Sequence, residues 1–159
     1  MEFEEKITET LESRVEGILG YLFPLKHKTV EGNFEGHNLT VKFERNFIRI
    51  KSDIENKDEI SFLITSDNTA GSDEIPSSVL NPSFRVFTDF RDFMLRFINK
   101  SIKTDLTSLL EKSKSDIDFY LHDGQDKDAV GLTINSWISD KEQFFEILRL
   151  FLKLKSKLK

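Results

Sequence analysis

At the start of the chain, apolar residues recur every three or four positions: Phe3, Ile7, Leu11, Val15, Ile18, Leu19 and Leu22. That spacing lines one stripe of an amphipathic helix, predicted over residues 3–22. The opposite side carries Glu2, Glu4, Glu5, Glu9, Glu12 and Glu16 against Lys6 and Arg14. Acid in the first turn suits the positive end of the helix dipole, and Gly20 and Pro24 mark the exit. From Lys26 to Ser66 the period changes to two. Leu39, Val41 and Phe43 alternate with Thr40, Lys42 and Glu44, and Ile48 and Ile50 with Arg49 and Lys51, the signature of half-buried antiparallel strands. Turns are expected at Asn33-Phe34-Glu35 between Gly32 and Gly36, at Arg45-Asn46 and at Glu55 to Asp58, which makes a four-strand meander ending in ISFLIT.

The stretch SDNTAGSDEIPSSVLNPS, residues 66–83, follows neither period and reads as a long connection of the kind that is functional or disordered. Beyond it FRVFT reads as a short strand, and Thr88-Asp89 as the cap of a helix with Phe90, Phe93, Met94, Phe97 and Ile98 on one face. A break near Lys100 to Asp105 precedes Leu106, Leu109 and Leu110. Ile117, Phe119 and Leu121, then Val130, Leu132 and Ile134, form a hairpin around DGQDKD; Ser139 with Glu142 reads as a capping box opening a last helix to about Lys157. The order is helix, four strands, loop, helix, hairpin, helix. It predicts an α+β fold: a mainly antiparallel sheet of roughly five to seven strands with helices covering one face. The expected core is Ile7, Leu11, Val41, Phe43, Ile50, Phe62, Phe93, Phe97, Phe119, Leu132, Ile134 and Leu148.

At 159 residues this fits a single domain, 1–159, with no repeat or linker that would divide it. Fifteen Phe against one Trp and two Tyr mean that the aromatic content is mostly core material. The absence of Cys removes disulfides, thiolate nucleophiles and Cys-ligated metals. A net charge of −5 argues against general nucleic-acid binding, which relies on Lys and Arg neutralising phosphates. MEFEEKITET has no basic start and apolar run, so a cytoplasmic, soluble protein is expected. FFEILRLFLKL is interrupted by Glu146, Arg149 and Lys153 and is shorter than the ~20 apolar residues that span a bilayer, so no membrane span is expected.

Candidate chemistry is sparse. His27, His37 and His122 lack the spacing that presents two imidazoles to zinc. Asp123, Asp126 and Asp128 crowd one loop, but Ile134 stands where a calcium loop needs its bidentate Glu. Ser72, Ser77 and Ser78 have no strained elbow around them, and the glycines build no phosphate cradle. No catalytic residue, metal site or cofactor is therefore assigned. The expected function is a non-catalytic protein-binding or scaffold domain; the alternative is a small hydrolase or transferase with its site under the loop 67–82, beside His37 or His122.

The last helix carries more apolar surface than a sheet needs: Phe144, Phe145, Ile147, Leu148, Leu150, Phe151, Leu152, Leu154 and Leu158. Either the first helix covers the excess, its glutamates facing Arg149, Lys153, Lys155, Lys157 and Lys159, or another molecule does. The second possibility makes Phe151, Leu154 and Leu158, flanked by Lys153, Lys155 and Lys157, a candidate strip for a protein partner or a homodimer mate.

The runs GNFEGHNLTVKF, FRVFTDFRDFMLRF, IDFYLHDG and SDKEQFFEILRLFLKL together resemble an uncharacterised prokaryotic α+β domain, a likeness covering most of the chain from Val30 and implying fold without function. The element order, acidity and size also look like those of type III secretion chaperones, which implies binding of unfolded segments of exported proteins and dimerisation.

Overall fold

The computed structural model describes residues 2–13, 28–66, 84–122 and 124–158. Helix α1 (Glu2–Ser13) is followed by strands β1 (Lys28–Phe34), β2 (His37–Phe43), β3 (Ile48–Asp53), β4 (Phe62–Thr65) and β5 (Arg85–Thr88). Helices α2 (Arg91–Phe97) and α3 (Lys100–Ser113), strands β6 (Ile117–Leu121) and β7 (Ala129–Ile134) and helix α4 (Lys141–Ser156) complete it. The second half of the expected first helix and the connection 67–83 lie outside the described residues.

The strands form one seven-stranded sheet, antiparallel throughout, in the order β1-β2-β3-β7-β6-β4-β5. The expected four-strand meander therefore stops after β3. The β6–β7 hairpin is inserted between β3 and β4, so Ile50 pairs with Leu132, and Ile64 with Phe119 rather than with β3. The physical reason is burial. All six residues of β7 are buried, with small Ala129, Gly131 and Thr133 on the side away from Val130, Leu132 and Ile134. On the helix face the core buries the strand, and on the other face side chains of neighbouring strands do, as Tyr120 does over Gly131, which requires a neighbour on each edge.

Turn chemistry explains the ends. Glu35 and Gly36 have φ of 49° and 85°, the left-handed pair that a two-residue hairpin needs. Asn33 accepts the Gly36 N–H at 3.1 Å, so Asn33 and Phe34 belong to β1 and the turn is shorter than expected. At α2 no side chain caps the helix. Thr88 accepts from the Phe90 N–H at 2.9 Å and donates to the Ser61 carbonyl at 2.8 Å, tying the strand end instead. The helical break comes at Ile98-Asn99, earlier than expected, because Asn99 accepts the Ile102 N–H at 3.0 Å and caps α3. Asp140, not Ser139, caps α4, accepting from the Glu142 N–H at 3.0 Å.

The four described helices lie on one face. Phe3 of α1 meets Phe34, Phe97 of α2 meets Phe62, and Phe144 and Phe151 of α4 meet Phe43 and Phe119, with ring centroids 5.7–6.3 Å apart. Helix α3 adds buried Ile102, Leu106 and Leu109. Every expected core residue is buried except Phe93, which is half-buried and stacked on Phe97 at 5.9 Å.

Because β3 and β4 are separated by a hairpin, residues 54–61 must cross the ends of β7 and β6. Asn56 makes that crossing. It is 6% exposed; its Nδ2 donates to the carbonyls of Ile60 at 2.9 Å and Lys127 at 2.7 Å, and its Oδ1 accepts from the Ile60 N–H at 3.0 Å. Asn56→Ala leaves buried backbone groups without partners and should cost about 2–3 kcal/mol in urea unfolding. A loss under about 0.5 kcal/mol, ordinary for a surface substitution, would show that the crossing does not depend on this side chain.

Candidate functional site

The candidate partner strip of the last helix is mostly inside. Phe151 and Leu154 are each 0% exposed, and Leu158 is half-buried. The neighbour that accounts for the wide apolar face is chiefly α3, which lies antiparallel beside α4, with α1 touching less of it. The lysines follow suit. Lys153 and Lys157 reach Asp105 of α3 at 3.3 and 2.5 Å, rather than the glutamates of α1. Lys155 donates to Ser52 Oγ at 2.8 Å and lies 3.3 Å from His37 Nδ1. Arg149 donates to Glu35 at 2.8 Å.

Ser52, Lys155 and His37 form a constellation that the sequence did not suggest. It does not make a nucleophile. Ser52 is 3% exposed and its hydroxyl donates to the Asn38 carbonyl at 3.1 Å, so it lies within the sheet rather than open to a substrate. His122 Nδ1 accepts from the Gly124 N–H at 3.1 Å, while His27 lies outside the described residues. Asp126 accepts from the Asp128 N–H at 2.9 Å and Asp128 from the Asn56 N–H at 3.1 Å; Asp123 is outside the described residues, as are Ser72, Ser77, Ser78 and the loop 67–82. Among the described residues no three His, Asp or Glu side chains converge to hold a metal ion.

What the topology does build lies on the sheet face away from the helices. Two transverse rows of side chains run across it. One is Lys42, Arg49, Thr133, Asp118, Thr65 and Arg85, each paired with the next across neighbouring strands. The row beside it is Thr40, Lys51, Gly131, Tyr120, Leu63 and Phe87. Gly131 leaves room for its neighbour: a side-chain carbon there would sit 2.1 Å from Tyr120 Cζ, so the ring lies flat across the glycine. Tyr120, Leu63 and Phe87 thereby form a half-buried apolar ledge on β6, β4 and β5. The ledge and Arg49, Asp118, Thr133 and His122 line a groove of about 550 Å³, open along its length.

Arg49 stands at the β3 end of this groove. Its Nε is shielded from solvent and has no hydrogen-bond partner among the described residues, and its Cζ lies 5.3 Å from the centroid of the Phe47 ring. A second groove of about 750 Å³ lies at one end of the sheet, between residues 54–60 and α2, with Leu158 at its rim. Among the described residues no helix is long and apolar enough to cross a membrane.

No family model matches the chain, and no characterised protein matches its sequence. Among solved structures it is similar to the crystal structure of the mycobacterial trehalose monomycolate transport factor A, TtfA, with a TM-score of 0.59 at 11% identity. The likeness covers 95% of this chain and 83% of that one. At this identity it is a likeness of fold, and it agrees with the α+β architecture.

Proposed function

We propose that the protein is a non-catalytic binding module that holds a protein partner on the open face of its sheet. The observation that carries this reading is the groove itself. An apolar ledge of Tyr120, Leu63 and Phe87 faces away from the core, flanked by a charged row, which is the mixture of aromatic and polar surface that interfaces use. An enzyme of this size would need a nucleophile or an acid–base pair set in a concave site; the buried hydroxyl of Ser52 is hydrogen-bonded to Asn38 and Lys155, and the reading of the groove rests on its apolar ledge rather than on Asp118 and His122. TtfA is named as a transport factor; for this chain we propose a role of association rather than reaction.

The test is affinity capture from the native cell with wild type, Phe87→Glu and Leu95→Glu run in parallel, each first shown to be folded. Leu95 is on α2, is 42% exposed and serves as the control away from the groove. Proteins retained by wild type and Leu95→Glu but lost from Phe87→Glu support the reading. The same set on all three, or none above background, contradicts it.

A further inference from the structure

Resting on the reading of the open face as the partner surface, we infer that its occupant is an extended protein segment carrying a carboxylate, followed at alternate positions by two apolar side chains. The shape points to a chain rather than to a compact molecule. The groove runs from Arg49 on β3 across β7, β6 and β4 to Phe87 on β5, an edge of the sheet. At about 4.8 Å between neighbouring strands, that is about 19 Å, the length of five or six extended residues. It is a trough without a roof among the described residues, whereas sites for small ligands enclose most of the ligand surface.

The charges give the segment its direction. Arg49 is a cation whose Nε is shielded and has no hydrogen-bond partner among the described residues. A guanidinium in that condition gains most from a carboxylate, which accepts from two of its N–H groups at once. From there the ledge begins two strands away: Tyr120 on β6, then Leu63 on β4 and Phe87 on β5. In an extended segment lying across the strands, every second side chain faces the sheet, at steps of about 6.8 Å. Arg49 stands two strands (about 10 Å) and one row (about 7 Å along the strands) from Tyr120, so a segment with its acid over Arg49 crosses the sheet obliquely, and its fourth and sixth following side chains, about 14 and 20 Å on, fall over the Tyr120–Leu63 ledge and over Phe87. The motif is acid-x-x-x-apolar-x-apolar. Asp118, two strands from Arg49 in the same row, and the exposed carboxylate of Asp89 at the far end also line the groove and disfavour an acid beyond β3, which opposes the reversed orientation.

The probe is a phage-displayed library of random dodecapeptides selected on wild type. The expected result is enrichment of acid-x-x-x-apolar-x-apolar sequences, with the best peptide bound at least tenfold more weakly by Arg49→Gln. Changing the peptide's acid to its amide should also cost at least tenfold on wild type and little further on Arg49→Gln. The amide peptide keeps the test valid even if Arg49→Gln fails to fold. Enriched peptides that lack the acid, or that ignore its amidation while depending on Phe87, overturn this inference and leave the binding-module reading standing. Peptides that ignore Phe87→Glu as well, or no enrichment above an unrelated protein, overturn both. Displacement of the selected peptide by decanoate at lower concentration than the peptide itself needs would assign the groove to an anionic amphiphile and overturn the inference too.

Discussion

Leu154→Glu is expected to leave the chain unfolded at room temperature, with loss of the helical and strand signals in circular dichroism. Leu154 is 0% exposed on the last full turn of α4. Truncating a buried leucine costs about 2–5 kcal/mol by itself, and a carboxyl group placed there without a partner adds a desolvation cost of several more. Together these approach the ~5–15 kcal/mol that holds a domain of this size together. Leu158→Glu makes the contrast. Its position is half-buried at the helix end, and the change should cost about 1 kcal/mol or less. A Leu154→Glu protein that melts like wild type would mean that α3 does not cover this side of α4.

Phe119→Ala should cost about 3–5 kcal/mol, read from urea unfolding with an unchanged dependence on denaturant. Phe119 is 0% exposed in the middle of β6, with Phe62 at 5.8 Å beside it and Phe151 of α4 at 6.3 Å above it. Removing the ring opens a hole between sheet and helix that three separate elements would have to close at once. The position also tests the strand order. Phe119 has this many buried neighbours only because β6 lies between β7 and β4. A loss of about 1 kcal/mol or less would place β6 nearer an edge.

Much of this architecture was legible in the sequence, because period-two and helical patterns are local consequences of one-sided burial. Val41, Phe43 and Ile50 announced their strands, and Phe93, Met94 and Phe97 their helix. Strand order was not legible in the same way. The alternation in β3 and β4 states which face is buried and says nothing of which strand lies alongside. A signal for it lies in β7, where Ala129 and Gly131 are too small to cover their own face and mark a strand sheltered by side chains of its two neighbours. The wide apolar face of α4 is a similar case. It correctly announced a second contact, but the contacting surface on α3 is assembled from Ile102, Leu106 and Leu109 after a helical break whose position was misplaced by a few residues.

The groove follows from that same strand order. Arg49 reads as the outward residue of an alternating pair, the position where a solvated side chain is the ordinary outcome, and nothing within ISFLIT, FRVFT or IDFYL marks Leu63, Phe87 or Tyr120 as part of a site. Only the insertion of β6 and β7 between β3 and β4 sets them in two adjacent rows with Gly131 beneath the Tyr120 ring. Had the meander run through four strands, β3 and β4 would be neighbours and Tyr120 would not stand between Arg49 and Leu63. The proposed site is thus a product of long-range pairing, and no local motif could have announced it.

The most direct test of the open face as the binding surface is photo-crosslinking in the native cell, with benzoyl-phenylalanine placed at position 63 in one strain and at position 95 in another. Leu63 faces the groove and Leu95 the solvent beside α2. The account predicts a discrete protein adduct from position 63 that disappears when Phe87→Glu is added, and none from position 95. Adducts of equal strength from both positions, or none from position 63 in a protein shown to be folded, would contradict it.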